Sequence, residues 1–180
     1  MGWFYEFQSK KWIRRLYKIN INGNAKKILD SVTISNGITW TKDASTMYYI
    51  DTSTGKIKAF DFDKTNATIS NERVAVEIPK SMGFGDGFTI DDEGMLWVGL
   101  WNGNSVARFN PKTGKLLSKI EVPAHNVTAC AFGGKILDIL YITTAKVDMT
   151  DEELKQKPFS SSIFKVKPGV KGVKASFSGK

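Results

Sequence analysis

Apolar and polar residues alternate along most of the chain, in short runs separated by glycine, asparagine, aspartate and proline. Period-two runs fall at 16–20, 25–29, 38–41, 47–50, 56–62 and 74–78, and again at 88–90, 96–100, 105–109 and 116–122. Valine, isoleucine, tyrosine, phenylalanine and tryptophan fill them, as expected of strands that pack side chains against a pleated surface. The turns between them read Asn-Gly-Asn, Asp-Asp-Glu-Gly and Asn-Pro-Lys-Thr-Gly. One segment departs from this pattern. Residues 150–157, TDEELKQK, open on a threonine with glutamate three places later and stop at Pro158, which predicts a short helix. The predicted class is all-β.

The runs repeat as a group. The segment NGITWTKDASTMYYIDTSTGKIKAFDFD, beginning at Asn36, aligns with DGFTIDDEGMLWVGLWNGNSVARFNPKTG, beginning at Asp86. A third round, TACAFGGKILDILYITTA, begins at Thr128, and its outer strand, SSIFKVKPG, follows the helical insertion. Asp86 lies 50 residues beyond Asn36, and Thr128 a further 42. That spacing is the length of a four-stranded propeller blade. A β-sandwich would also show evenly spaced short strands, but not the same corner returning once per four strands. The pattern predicts a β-propeller, with about three blades here and the outer part of a preceding one at 16–29. Residues 1–13 read as a variable leading segment and 14–180 as a single partial propeller domain.

Each round opens on an oxygen-bearing side chain: Asn36 and Asp86 before glycine, and Thr128 in the third. Asn-Gly and Asp-Gly are strong hairpin signals, so two tight turns are one reading. The other is an oxygen ligand placed at the same corner of successive blades. Thr128 is a weaker candidate for the same channel mouth. The stretch 61–72, DFDKTNATISNE, places acids where a calcium-binding loop has them. It lacks the central glycine and the flanking helices, and reads as a blade-to-blade turn. His125 and Cys130 lack the partners of a zinc site, and Cys130, between alanines on an apolar run, reads as core. Trp40, Trp97 and Trp101 read as packing residues.

Composition adds limits. The single cysteine excludes an internal disulfide and fits a reducing compartment, so a cytoplasmic location is expected. The longest apolar runs are far shorter than the roughly 20 residues a membrane helix needs, and no secretory leader is legible. The net charge of +8 comes largely from lysines at turns and on polar strand faces, as in Lys56-Ile57-Lys58-Ala59-Phe60. That reads as a solvated sheet face, without the interleaved aromatics of a nucleic-acid surface. Neither nucleic-acid nor membrane partners are expected.

The motifs ISNGITW, MYYIDT, GDGFTIDDEGMLWVGLWNG, VTACAFGG and PGVKGV resemble, in order and spacing, the regucalcin family. That family is also called senescence marker protein-30, and it includes gluconolactonases and the luciferin-regenerating enzyme. The resemblance covers residues 14–177. It implies a six-bladed propeller with one divalent metal at the channel mouth and hydrolysis of a sugar lactone. Family ligands are a glutamate of the first blade, the asparagine of an Asn-Gly pair and the aspartate of an Asp-Gly pair. The last two fall on Asn36 and Asp86. Ca²⁺ is the expected ion, with Mg²⁺, Mn²⁺ or Zn²⁺ as alternatives. Asp86 is then also the catalytic base, and Gly85 stands where many members have proline, which would loosen a turn. The first-blade glutamate and the substrate-holding residues belong to the part of the family sequence that precedes Met1. The resemblance therefore implies a truncated form, supplying roughly the last three blades and part of a fourth, with self-association through open blade edges. The alternatives are a non-catalytic calcium-binding regulator and a luciferin-regenerating type of enzyme.

Overall fold

The computed structural model describes residues 14–175. The predicted leading segment 1–13 lies outside the described residues. Four antiparallel sheets follow one another along the chain. The first pairs β1 (Arg14–Ile19) with β2 (Ala25–Val32). The second runs β3 (Ser35–Trp40), β4 (Thr46–Asp51), β5 (Lys56–Asp63) and β6 (Thr68–Glu77). The third runs β7 (Phe84–Ile90), β8 (Leu96–Trp101), β9 (Ser105–Phe109) and β10 (Leu116–Glu121). The last holds β11 (Asn126–Gly133), β12 (Ile139–Ala145) and β13 (Ile163–Val166). Within each sheet the strands pair in sequence order, and the leading strands touch in succession, β3 against β7 and β7 against β11. These are blades of a β-propeller with their first strands innermost.

The blades are held by burial on both faces of their middle strands. On β4 the side chains of Tyr48 and Ile50 join one core with Ile57, Val98, Leu100 and Phe109, between the second and third sheets. The alternate residues Met47 and Tyr49 point the other way and pack with Leu16, Val32 and Phe60 against the first sheet. The period of two thus puts adjacent apolar residues into different cores. The same holds on β8, where Leu96 and Val98 face the first of these cores and Trp97 faces a third, with Cys130, Leu140 and Ile142. Unbroken apolar runs such as Met-Tyr-Tyr-Ile follow from this two-sided burial.

The predicted helix is α1 (Asp151–Gln156), a six-residue insertion between β12 and β13. Thr150 caps it: its hydroxyl accepts from Glu153 N, and Thr150 N donates to Glu153 Oε2 at 2.7 Å. After β13 the chain turns back beneath the blades. Asp92 N donates to Lys171 O at 2.8 Å, Gly172 N donates to Leu137 O at 2.9 Å, and Val173 packs on the core between the second and third sheets. This crossing lies past Ile90, at the opposite end of β7 from Asp86.

The structure corrects three readings. Asn36-Gly37 and Asp86-Gly87 are not hairpin turns. Both pairs lie inside strands, and neither glycine has a positive φ. Gly85 loosens no turn either: it is buried in β7, and a Cβ there would stand 2.6 Å from Ile78 Cδ1. The calcium-loop-like stretch is not a blade-to-blade turn but the hairpin within one blade, between β5 and β6. In it Asp63 accepts from Thr65 N, and Asp61 is tied to Arg73 and Asn71.

Candidate metal centre

What the two glycine pairs share is a bulge. In β3 the pairing steps from Ser35↔Asp51 to Ile38↔Tyr49, and in β7 from Gly85↔Leu100 to Phe88↔Val98. Each spans three residues on the inner strand against two on its partner, leaving one extra residue at Asn36-Gly37 and at Asp86-Gly87. β11 repeats the irregularity, from Val127↔Thr144 to Ala129↔Thr143, with Thr128 between. A bulge bends the strand and re-aims the side chain at that point, so all three predicted corners turn at equivalent places on the three inner strands.

The glycines let those strands converge. A Cβ on Gly37 would lie 2.2 Å from Phe88 Cδ1 and 2.9 Å from Asp86 O. One on Gly87 would lie 2.6 Å from Ala129 Cβ. Only glycine admits such an approach of backbone to the neighbouring blade.

Asn36 and Asp86 meet across that seam. The Asn36 amide stands beside the Asp86 carboxylate and draws its pKa down, and Asn36 Nδ2 donates to Thr52 Oγ1 at 3.0 Å. Thr52 Oγ1 in turn donates to Gly85 O at 2.7 Å. With Nδ2 directed to Thr52, the amide oxygen Oδ1 of Asn36 is its acceptor group. Burial raises the carboxyl of Asp86 above its ordinary value, against the opposing hydrogen bonds from Asn36 and Gly87 N. Two hard oxygen donors stand together, one of them a desolvated carboxylate, and this chemistry fits a cation such as Ca²⁺ or Mg²⁺. Among the described residues no group of three or more histidine, cysteine, aspartate or glutamate side chains is gathered for a metal. Thr128 stands at the third bulge, where its hydroxyl is 2.7 Å from Thr143 Oγ1.

The pair opens on a cleft of about 550 Å³ lined by Ile34, Asn36, Thr52, Ser53, Phe84, Asp86, Trp101 and Asn102. Two residues with no legible role in the sequence matter here. Thr52 sits in a one-turn 3₁₀ segment after β4, where its position in Asp-Thr-Ser-Thr-Gly carries no chemical signal. Trp101, read as packing, lines the cleft instead, whereas Trp97 is buried as expected. Cys130 is buried and its thiol donates to Trp97 O, confirming its place in the core. His125 stands 4.0 Å from Glu153, away from any second metal-ligating group among the described residues. None of the helices among the described residues is long and apolar enough to cross a membrane.

Residues 3–146 match the family model described as the SMP-30/Gluconolactonase/LRE-like region. The chain is 42% identical over 149 residues to a putative sugar lactone lactonase, YvrE, of Bacillus subtilis (strain 168), covering 83% of this chain and 51% of that protein. It is 40% identical over 159 residues to human regucalcin, covering 88% and 53%. Among solved structures, a luciferin-regenerating enzyme superposes with a TM-score of 0.80 at 32% identity, over 91% of this chain and 55% of that one. A calcium-binding protein, regucalcin, from Agrobacterium tumefaciens str. C58 has the same fold, with a TM-score of 0.81 at 23% identity, over 89% and 54%. The chain spans about half the length of the curated relatives it matches.

Proposed function

The chain belongs to the SMP-30/gluconolactonase/LRE-like family, and from that premise we propose that Asn36 and Asp86 hold a divalent cation, Ca²⁺ first, in a propeller that hydrolyses a sugar lactone. The observation that carries this reading is the pair of matched bulges. They bring an amide and a desolvated carboxylate into contact at the floor of one cleft. Mg²⁺, Mn²⁺ and Zn²⁺ are the alternative ions. Water, or donors beyond the described residues, would complete the shell, as is usual for hard cations.

A bound cation would supply a Lewis acid that polarises the lactone carbonyl. Asp86 then acts on the water. From its bulge on β7 beside the cleft, the Asp86 carboxylate can take a proton as the water oxygen bonds to the carbonyl carbon. The ring C–O bond breaks, the departing alkoxide takes up that proton, and an open-chain hydroxy acid results. Asn36 holds the carboxylate in place, and Thr52 fixes the Asn36 amide. Thr128 is a further group at the mouth.

The test is paired. Calcium binding is measured by titration calorimetry on wild type and Asp86→Ala, and release of acid from D-glucono-δ-lactone is followed with the same two proteins. Calcium binding and hydrolysis that both vanish in Asp86→Ala support the proposal. Binding lost with hydrolysis retained would remove Asp86 as the base. Calcium binding without hydrolysis would favour the second reading, a calcium-binding protein without catalysis; the Agrobacterium relative is described as a calcium-binding protein.

A further inference from the structure

An amide and a carboxylate make unequal demands when they serve as oxygen donors. The two ends of the Asp86 carboxylate are equivalent, and either can meet a cation. Asn36 has one oxygen end and one N–H end, and it is a ligand only when the oxygen end faces the ion. The hydrogen bonds around Thr52 decide which end that is. Thr52 Oγ1 lies 2.7 Å from Gly85 O, a carbonyl that can only accept, so the single hydroxyl hydrogen of Thr52 is committed there. Toward Asn36, 3.0 Å away, Thr52 has only lone pairs to offer. The end of Asn36 that faces Thr52 must therefore be Nδ2, which leaves Oδ1 as the end available to a cation.

Thr52 is itself held in place. Its N–H donates to Ile34 O at 3.0 Å, and its carbonyl accepts from Gly55 N, where a φ of 65° closes the 3₁₀ segment. The preceding Asp51 is buried and accepts from Thr33 N and Ile34 N, both at 2.9 Å. The next blade has no such hydroxyl. Thr52 follows Asp51, the pairing partner of Ser35, and the equivalent place in the third sheet follows Leu100, the partner of Gly85. That residue is Trp101, whose indole has no acceptor to offer an amide. The hydroxyl thus stands in the blade that presents an amide, and is replaced in the blade that presents a carboxylate.

We infer that Thr52 is the positioning residue of the metal centre: by accepting from Asn36 Nδ2 while donating to Gly85 O, it presents the Asn36 oxygen to the cation. The inference rests on the reading of Asn36 and Asp86 as cation ligands, and adds to them a residue that acts through Asn36 without touching the ion. Gly85 immediately precedes Asp86, so the same hydroxyl ties the amide ligand on β3 to the backbone that carries the carboxylate ligand on β7. Without the hydroxyl nothing at this place distinguishes the two ends of the amide. An amide turned over would meet the cation with its N–H groups, which repel it.

Calcium affinity of the full chain, measured by titration calorimetry, tests this in two backgrounds. Thr52→Val keeps the shape of the side chain and removes the hydroxyl. It should weaken calcium binding about ten- to a hundredfold, the usual effect of losing an outer-shell partner of a metal ligand. Thr52→Ser keeps the hydroxyl and should bind calcium as wild type does. Asn36→Asp has two equivalent oxygen ends, so adding Thr52→Val to it should leave its affinity unchanged. Melting in chelator shows whether each variant is folded, and Thr52→Ala takes the place of Thr52→Val if the valine does not fit. A loss of equal size in both backgrounds would mean that Thr52 only supports the strand, and would overturn the inference. So would an affinity unchanged in Thr52→Val, or a loss that Thr52→Ser shares. In each of these cases calcium still binds wild type and the metal centre stands. No calcium binding by wild type would reject the metal centre, and the role of Thr52 with it, so the two failures are told apart.

Discussion

The Asn36 amide on β3 stands beside the Asp86 carboxylate on β7 and lowers its pKa, joining the polar corners of two neighbouring blades. Burial raises the Asp86 carboxyl above its ordinary 3.8, so the folded protein keeps this proton to a higher pH than the unfolded chain does. Between the two values the native state binds more protons, and stability falls as pH rises through that window. Above it the penalty is constant. Without added metal, Asp86→Asn is expected to melt above wild type at neutral pH, with the two curves converging in acid. Calcium should reverse the order at neutral pH by stabilising wild type alone, by about 2.7 kcal/mol at a hundredfold excess over its Kd. Thermal melts at several pH values, with calcium and with a chelator, check both signs.

The bulge glycines give a steric prediction. Gly37 lacks a positive φ and has no room for a Cβ beside Phe88. Gly37→Ala should therefore cost about 1–3 kcal/mol, the range for overpacking a filled site. Gly37→Asn should cost more, because the larger side chain meets the same wall. A left-handed hairpin glycine would order the two variants the other way, since asparagine tolerates that conformation. Urea midpoints of the two variants decide the order.

Cys130 supplies a chemical probe of the core between the third and last sheets. Burial pushes its thiol up to about 12. At pH 8 that leaves on the order of one thiolate in ten thousand, and only the thiolate attacks a disulfide reagent. The native protein should not react with Ellman's reagent over hours, and guanidinium should release one thiol per chain. Rapid reaction of the native protein would mean that the blades part readily at Leu140 and Ile142.

Period and repeat make the class, the blade order and the positions of Asn36, Asp86 and Thr128 legible in the sequence alone. What misleads is local: Asn-Gly and Asp-Gly have the composition of hairpin turns, and only the pairing register shows them to be bulges within strands. Residues whose role is set by a neighbouring blade stay hidden. Thr52 matters through Gly85, 33 residues away, and Trp101 through the cleft it shares with Ile34. Asp91 is hidden for the same reason. In Asp-Asp-Glu-Gly it reads as one acid of a solvated turn, while the fold buries it completely.

That burial makes Asp91 the residue on which the third sheet should prove most sensitive. Its carboxylate accepts from Glu93 N, from Met95 N, from Trp97 Nε1 at 2.9 Å and from Arg108 Nε at 2.8 Å. Arg108 sits opposite Trp97 in the β8–β9 register, with its guanidinium 5.6 Å from the centre of the indole ring, and it also reaches Glu93. Removing the acid leaves a largely buried cation and an indole N–H without their acceptor. Asp91→Ala is therefore expected to cost about 3–5 kcal/mol, the range for breaking a buried pair from one side. Asp91→Asn, which keeps an acceptor oxygen, should cost less. Adding Arg108→Met to Asp91→Ala should recover part of the loss, because the stranded charge goes with it. Denaturant unfolding of the two single variants, Arg108→Met and the double variant measures this coupling. Strict additivity would mean that Asp91 acts through the β7–β8 turn alone and that the ion pair adds nothing.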